Sequence, residues 1–486
     1  MAGTTGRAIQ VSRCAGALRC GSGPSCTVAH LKNLAPNPHH PYAVPNAVPA
    51  LLAIFLAVFL SALDTAIANT ALPAISADLR AGAAASVWVV NAYQLAVVAV
   101  LLPFAALGDF WGPRRVFLMG LVVFTVGSLG CALSTSLPAL SLARVVQGVG
   151  AGGIMAVNLA LVRLIFAPGQ LGRGVGLNAF VVGLGFSLGP TVASLVLSVV
   201  SWPWLFGINV PLGILGWVLG RRAIPHSPAH SASHRFDPAM AVLAGLTFAG
   251  FTLAISLAGQ RASLALVLSA VSVCLVCGVA LLRRQSGHPA PMLPVDLLAR
   301  PLFSLSVLTS ICSFATQGLA FVSLPFYFET VLHRDPIQTG FLMSSWAVVV
   351  AGIAPFAGRW SDRYAPATMG GVGMAILSLG MVSLALMPAD ASVTGIVLRM
   401  AVCGLGFGLF QSPNLRAIMS SAPGERAGGA SGMVALSRLT GQTGGAAMVA
   451  LCLSLGGTSG AGWALSLGAA TAALAAAFSA SRLWAK

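Results

Sequence analysis

Leu60-Ser61-Ala62-Leu63-Asp64-Thr65-Ala66-Ile67-Ala68-Asn69 decides how this chain is read, because it sets one carboxylate inside an otherwise apolar run. The acidic residues are Asp64, Asp78, Asp109, Asp237, Asp296, Glu329, Asp335, Asp362, Asp390 and Glu425. All but Asp64 lie in, or at the edges of, segments that connect apolar runs. An ionisable group within a bilayer is costly and marks a functional site. The stretch therefore predicts a membrane helix whose working group is Asp64.

Composition agrees. Of 486 residues, 57% are hydrophobic and 7% charged, against about 25% charged in an average soluble domain. The net charge of +16 is spread as single or paired basic residues between apolar runs. That pattern fits the positive-inside rule and argues against a nucleic-acid partner. Runs of about 20 apolar residues mark spanning helices. Fourteen occur, near 48–69, 86–107, 115–134, 138–161, 174–199, 203–220, 238–258, 262–282, 301–329, 337–358, 367–387, 393–413, 428–453 and 460–481. With the N-terminus in the cytoplasm, inner connections and tails hold 20 of the 26 Lys and Arg. The outer loops hold Arg80, Arg261 and Arg334, while Arg144, Arg399 and Arg438 lie within helices. This asymmetry calls for an even helix count with both termini cytoplasmic. The only lysines are Lys32 and Lys486, so there is no G-x-x-x-x-G-K-[ST] phosphate loop and no ATPase of the chain's own. Active transport must run on an ion gradient or on a partner's ATPase. Nor is there an intramembrane cluster of His, Asp and Glu, or a nucleophile with its base, so the chain does not read as an enzyme.

The ends and linkers carry little chemistry. Residues 1–47 read as a disordered cytoplasmic tail without the apolar core of a signal peptide. Cys14, Cys20 and Cys26 match no common zinc spacing. His226, His230 and His234 stand four apart, but Pro225 and Pro228 oppose a helix there, which leaves a flexible linker. Cys274 and Cys277 sit in an apolar helix as packed or lipid-facing thiols. No metal site and no disulfide framework is expected.

The chain repeats itself. Phe104-Ala105-Ala106-Leu107-Gly108-Asp109-Phe110-Trp111-Gly112 follows the second helix, and Phe356-Ala357-Gly358-Arg359-Trp360-Ser361-Asp362-Arg363-Tyr364 follows the tenth. Arg144, in Ala143-Arg144-Val145-Val146-Gln147-Gly148, recurs as Arg399 before Gly404-Leu405-Gly406. Parallel repeats of this kind mark a transporter with its site between two halves at the midplane.

These residues resemble the major facilitator superfamily, in particular its fourteen-helix drug:proton antiporter branch, from about residue 48 to 482. Leu63-Asp64 through Ala71-Leu72-Pro73 is similar to that branch's L-D-x-T-I-V-N-x-A-L-P. Gly108-Asp109 through Gly112-Pro113-Arg114-Arg115 is similar to the loop G-x-L-A-D-R-x-G-R-K. Arg144, Gln147 and Gly148 match R-x-x-Q-G, and Gly185 through Gly189-Pro190 matches G-x-x-x-G-P. Departures are Ala66 and Ala68 for the usual Thr and Val, Ala105 and Phe110 in the loop, and Ala193-Ser194 after Gly-Pro. The resemblance implies an all-α polytopic membrane protein: a six-helix bundle over 48–222, a linker with two inserted helices over 223–300, and a second six-helix bundle over 301–482. It also implies the inner (plasma) membrane of a bacterium and a monomer.

The expected mechanism follows from depth. Asp64 lies roughly 22 Å above the inner edge at 1.5 Å per residue, and Arg144 on the inward-running fourth helix lies at a similar depth in a roughly 30 Å core. Burial opposes the charge on Asp64 and a nearby guanidinium favours it. Conformational change that alters both would let Asp64 load and release a proton, with Arg144 regulating it. A cationic substrate would compete for the same carboxylate. Substrate-binding candidates are Asn69, Trp88, Asn91, Gln94, Gln147, Gln317, Phe321, Trp346, Gln411 and Asn414. Gating candidates are Asp109, Gly112, Arg115, Gly189, Pro190 and Asp362. The expectation is a proton-coupled exporter of amphipathic, cationic drugs or toxic compounds, with no cofactor beyond the proton gradient. The alternative is a transporter of one specific metabolite or other solute.

Overall fold

The computed structural model describes residues 47–166, 171–225, 237–286, 295–361, 363–388, 390–421 and 427–484. The N-terminal tail with its cysteines, the His226–His234 linker and Asp362 lie outside them, as does the side chain of Asp109. Fourteen helices among the described residues are long and apolar enough to cross a membrane. They are α1 (Ala47–Asp78), α2 (Trp88–Trp111), α3 (Pro113–Ala132), α4 (Leu137–Ile165), α5 (Leu171–Leu197), α6 (Asn209–Ala223), α7 (Pro238–Gly259), α8 (Leu264–Gln285), α9 (Pro301–Phe326), α10 (Pro336–Trp360), α11 (Pro366–Ala385), α12 (Val393–Ser420), α13 (Ala427–Gly456) and α14 (Gly460–Ser481). A short helix, Ala83–Ser86, precedes α2, and Pro203–Gly207 completes the span of α6. A π-helical turn, Tyr327–Val331, extends α9.

Local chemistry sets the helix starts. Pro stands at the first or second position of α3, α4, α7, α9, α10 and α11, where its missing N–H costs nothing. Ser136, Asp237, Asp335 and Ser392 cap α4, α7, α10 and α12 by accepting backbone N–H bonds, which satisfies otherwise orphaned donors. Gly112, at φ +89°, makes the turn from α2 into α3, a conformation that favours glycine. Several helices outrun the apolar runs that mark them: α1 continues from Asn69 to Asp78, and α12 passes through Pro413 to Ser420. Hydropathy sees only the hydrocarbon part of a helix, whereas the backbone must keep its hydrogen bonds until it leaves the bilayer.

The sequence repeat is also a packing repeat. In the first half α1 packs on α5 and α6, α2 on α4, and α3 on α4 and α6. In the second half α9 packs on α13 and α14, α10 on α12, and α11 on α12 and α14. Equivalent glycines carry equivalent contacts. A Cβ on Gly150 of α4 would lie 2.6 Å from the carbonyl oxygen of Gly120, and one on Gly406 of α12 would lie 2.6 Å from that of Gly373. Small residues drive such close backbone approach where no hydrophobic force separates protein from lipid.

The inserted pair is peripheral but not idle. Of the most apolar window, 72% of residues are buried in α1 and α9 against 11% in α8, so α8 is the outermost helix. α7 instead packs on both halves: Gly245 lies against Ala99 of α2, and Gly259 against Ala447 of α13.

Candidate functional site: a buried ion pair beside a closed cavity

The Asp64 carboxylate is 1% exposed and the Arg144 side chain 0%. They form a salt bridge, Arg144 Nη1 donating to Asp64 Oδ2. Asp64 Oδ1 accepts from Gln147 Nε2 at 2.8 Å and from Asn209 Nδ2 at 2.9 Å. Arg144 Nη1 also reaches Gln147 Oε1 at 2.6 Å, and Nε reaches the Val89 carbonyl at 2.9 Å. Ser128 holds Gln147 Nε2 from behind at 2.8 Å. The guanidinium carbon lies 4.2 Å from the Tyr93 ring centroid and 5.5 Å from that of Phe206. Side chains from α1, α2, α3, α4 and the sixth span therefore meet in one network around the ion pair, with those of α4 and the sixth span touching the carboxylate. Such a pair is tolerable in an apolar interior because most of its remaining polar positions are satisfied; Arg144 Nη2 alone of the pair's polar atoms is buried without a hydrogen-bond partner.

The position of Asp64 is set by helix contact. α5 presents Gly185 and Gly189 to the α1 turns on either side of it. A Cβ on Gly185 would come 2.9 Å from Ala62 Cβ and 3.0 Å from the Phe59 carbonyl, and one on Gly189 3.3 Å from Ala66 Cα. Anything larger would push α1 away from α5 and shift the carboxylate.

Next to this pair, between the halves, is a small cavity. Thr65 and Asn69 of α1, Gln94 of α2 and Phe186 of α5 line one side, and Gln317 and Phe321 of α9 with Gln442 of α13 line the other. Its volume is about 10 Å³, room for at most one water, whereas a drug-sized ligand needs roughly 300 Å³ or more. The halves are closed on it by neutral polar contacts. Thr191 and Ser344 hydroxyls meet at 2.6 Å, Ser194 Oγ donates to the Pro336 carbonyl at 2.7 Å, and Thr443 Oγ1 donates to Gln94 Oε1 at 2.8 Å. Single neutral hydrogen bonds of this kind cost little to exchange for water, so this seam can part without breaking a charge pair.

The sequence candidates divide accordingly. Asn69, Gln94, Gln317 and Phe321 meet at the cavity. Gln147 does not: it belongs to the Asp64 network. Trp346 is buried behind Phe321, with ring centroids 5.5 Å apart. Asn91 is buried with neither amide atom partnered, and Trp88 is half-buried at the start of α2. Gln411 is exposed. Asn414 accepts from Arg482 Nη1 at 2.8 Å in a separate cluster with Ser306 and Ser479. Of the gating candidates, Arg115 is exposed, Gly112 makes the α2–α3 turn, Gly189 packs on Ala66, and the Pro190 carbonyl accepts from Ser194 at 2.9 Å. Direct competition of substrate and proton for one carboxylate is not offered here, because Asp64 turns toward α4 and away from the cavity, which its neighbour Thr65 lines. The repeat of Arg144 is not a repeat of its chemistry: Arg399 donates to the carbonyls of Ser383 and Gly395, both at 3.0 Å.

Sequence reasoning missed Asn209, Ser128, Phe186 and Gln442. Asn209 and Gln442 carried a readable signal, since an amide inside an apolar span needs a partner across helices.

Comparison with known proteins agrees with this architecture. The family model for the Major Facilitator Superfamily matches residues 54–446. The chain belongs to that superfamily. It is a multi-pass membrane transporter and not an enzyme. It is 50% identical over 385 residues to the uncharacterized transporter YebQ of Escherichia coli strain K12, covering 79% of this chain and 84% of that protein. It is 30% identical to the riboflavin transporter RibZ of Clostridioides difficile, covering 78% and 82%. It is 32% identical to the tetracenomycin C resistance and export protein of Streptomyces glaucescens, covering 76% and 69%. A crystal structure of a peptide transporter, POT, in complex with sulfate aligns with a TM-score of 0.67 at 17% identity, over 89% of this chain and 94% of that one, a likeness of fold.

Proposed function

We propose that this superfamily member is a proton-coupled exporter of amphipathic small molecules, in which Asp64 carries the proton. The observation that carries this reading is the burial of Asp64 against Arg144, with Gln147 and Asn209 on its other oxygen. A carboxylate so enclosed can exchange its proton only when the helices around it move, so protonation is tied to conformation. Opening the seam between α5 and α10 shifts α5, which packs by Gly185 and Gly189 on the α1 turns bearing Asp64. Substrate entering the cavity beside Thr65 and loss of the proton from Asp64 are thereby linked through α1 and α5. The arrangement of positive residues favours an orientation with both termini cytoplasmic, and the likeness to bacterial transporters favours the plasma membrane. The likeness to a tetracenomycin C export protein supports outward transport.

The second reading, one dedicated solute, has its own support in the likeness to a riboflavin transporter. Efflux from cells loaded with ethidium, fluorescein or riboflavin, with and without a protonophore, decides between the two. Export is expected for at least one probe other than riboflavin and is lost with protonophore and in Asp64→Asn. Export that persists in Asp64→Asn refutes the proton role, and transport of riboflavin alone favours the dedicated carrier.

A further inference from the structure

Three arginines, Arg144, Arg399 and Arg438, lie within the apolar runs of the spans, away from their cytoplasmic ends, and two of them are hydrogen-bonded. Arg144 is neutralised by Asp64, and Arg399 is held by backbone carbonyls. Arg438 of α13 differs. Among the described residues it makes no hydrogen bond or ion pair, and its Nε is buried without a partner. The one close partner of its guanidinium is an aromatic face: its carbon lies 6.0 Å from the Phe186 ring centroid, across the seam on α5. Phe186 lines the cavity, and so does Gln442, one helical turn beyond Arg438 on the same face of α13. The cavity also holds an unpartnered amide oxygen, that of Asn69.

Counting charge around the cavity gives a definite sign. Asp64 and Arg144 cancel, and Arg438 leaves the surroundings of the cavity net positive. An unpaired guanidinium in a membrane protein interior is costly, and its natural complement is a planar acid that takes two parallel N–H bonds. The aromatic rings of Phe186 and Phe321 supply faces for a flat apolar body. We propose that Arg438 recognises an acidic group on the transported molecule, so that the substrate is a flat amphipathic organic acid. This reverses the charge expected from Asp64 alone. It rests on the reading of the cavity as the substrate site, and it needs neither the proton step nor the direction of transport.

The test uses the purified full chain in lipid nanodiscs and three probes with one aromatic body: pyrenebutyric acid, its amide and pyrenebutylamine. Saturable binding is read by fluorescence, with empty nanodiscs subtracted. The acid is expected to bind roughly tenfold or more tightly than the amide, the gain of a charge-assisted bond, and the amine least tightly. Arg438→Gln removes the preference for the acid while the amide still binds, and Arg438→Lys keeps part of it. Equal or tighter binding of the amine by the wild type overturns the proposal. So does an undiminished preference for the acid in Arg438→Gln, or no saturable binding of the acid. If Arg438→Gln alters the pH profile of efflux but not the charge preference, Arg438 serves the proton site and the proposal is wrong. Failure here leaves protonophore-sensitive efflux untouched, so the exporter reading stands or falls on its own assay.

Discussion

Replacing one member of the Asp64–Arg144 pair strands the other as a buried charge. In Arg144→Gln, Asp64 keeps only the amides of Gln147 and Asn209. In Asp64→Asn, the guanidinium keeps the Gln147 and Val89 oxygens and the Tyr93 face. Breaking a buried pair from one side costs about 3–5 kcal/mol. In the double variant both charges are gone and neutral amides can bond one another, so only net hydrogen-bond terms of about 1–2 kcal/mol are lost. The double variant should therefore be more stable than the sum of the single effects by about 4 kcal/mol or more, above the roughly 0.5–3 kcal/mol usual for contacting residues. The assay is reversible chemical unfolding of all four proteins in mixed micelles at one pH. Additivity within about 0.5 kcal/mol, or single variants as stable as the wild type, would refute the argument that the pair is a closed, desolvated unit.

Other consequences are separable. Gly150→Ala and Gly406→Ala should each cost about 1–3 kcal/mol by overpacking, because a Cβ meets backbone at both sites. Gly183→Ala and Gly444→Ala, with nothing within 4 Å, should be neutral or slightly stabilising, and yields of folded protein by size exclusion separate the two groups. At the start of α7, the hydrogen bond from Arg284 Nε to Asp237 Oδ2, at 2.7 Å, holds the Asp237 carboxyl below its usual range. Its contribution is present above the unfolded value of about 3.9 and is lost as pH falls through the lower folded value. The wild type should exceed Asp237→Asn in Tm by a small margin at pH 7, and the margin should vanish in strong acid. A margin that grows on acidification would reverse the sign of this reasoning.

The number of spans was legible because a run of apolar residues is a one-dimensional signal that length alone decodes. The pairing of Asp64 with Arg144 was legible because depth in the bilayer follows from counting 1.5 Å per residue. Direction around the helix axis was not. Where a helix is apolar all round, no hydrophobic stripe says which way a polar residue faces. Gln147 was thus read as a substrate ligand although its place three residues from Arg144 puts it in the ion-pair network, and Gln411 proved exposed. Asn414 was taken for the cavity because its partner, Arg482, lies 68 residues further on. Asn209 escaped notice at the head of the sixth span, behind Trp202-Pro203, where hydropathy marks a turn and not a site. The role of α7 as a contact to both α2 and α13 was invisible for the same reason, since close approach depends on where Gly245 and Gly259 point.

Dissipation of an imposed pH gradient tests the central claim most directly. Proteoliposomes containing pyranine are held at a fixed pH difference, fluorescein is added on one side, and lumen pH is followed against protein-free vesicles. Proton exchange through Asp64 predicts that the probe accelerates proton movement in wild-type vesicles and has no effect in Asp64→Asn vesicles. Equal acceleration in both, or probe movement in the wild type with no proton flux, would contradict it.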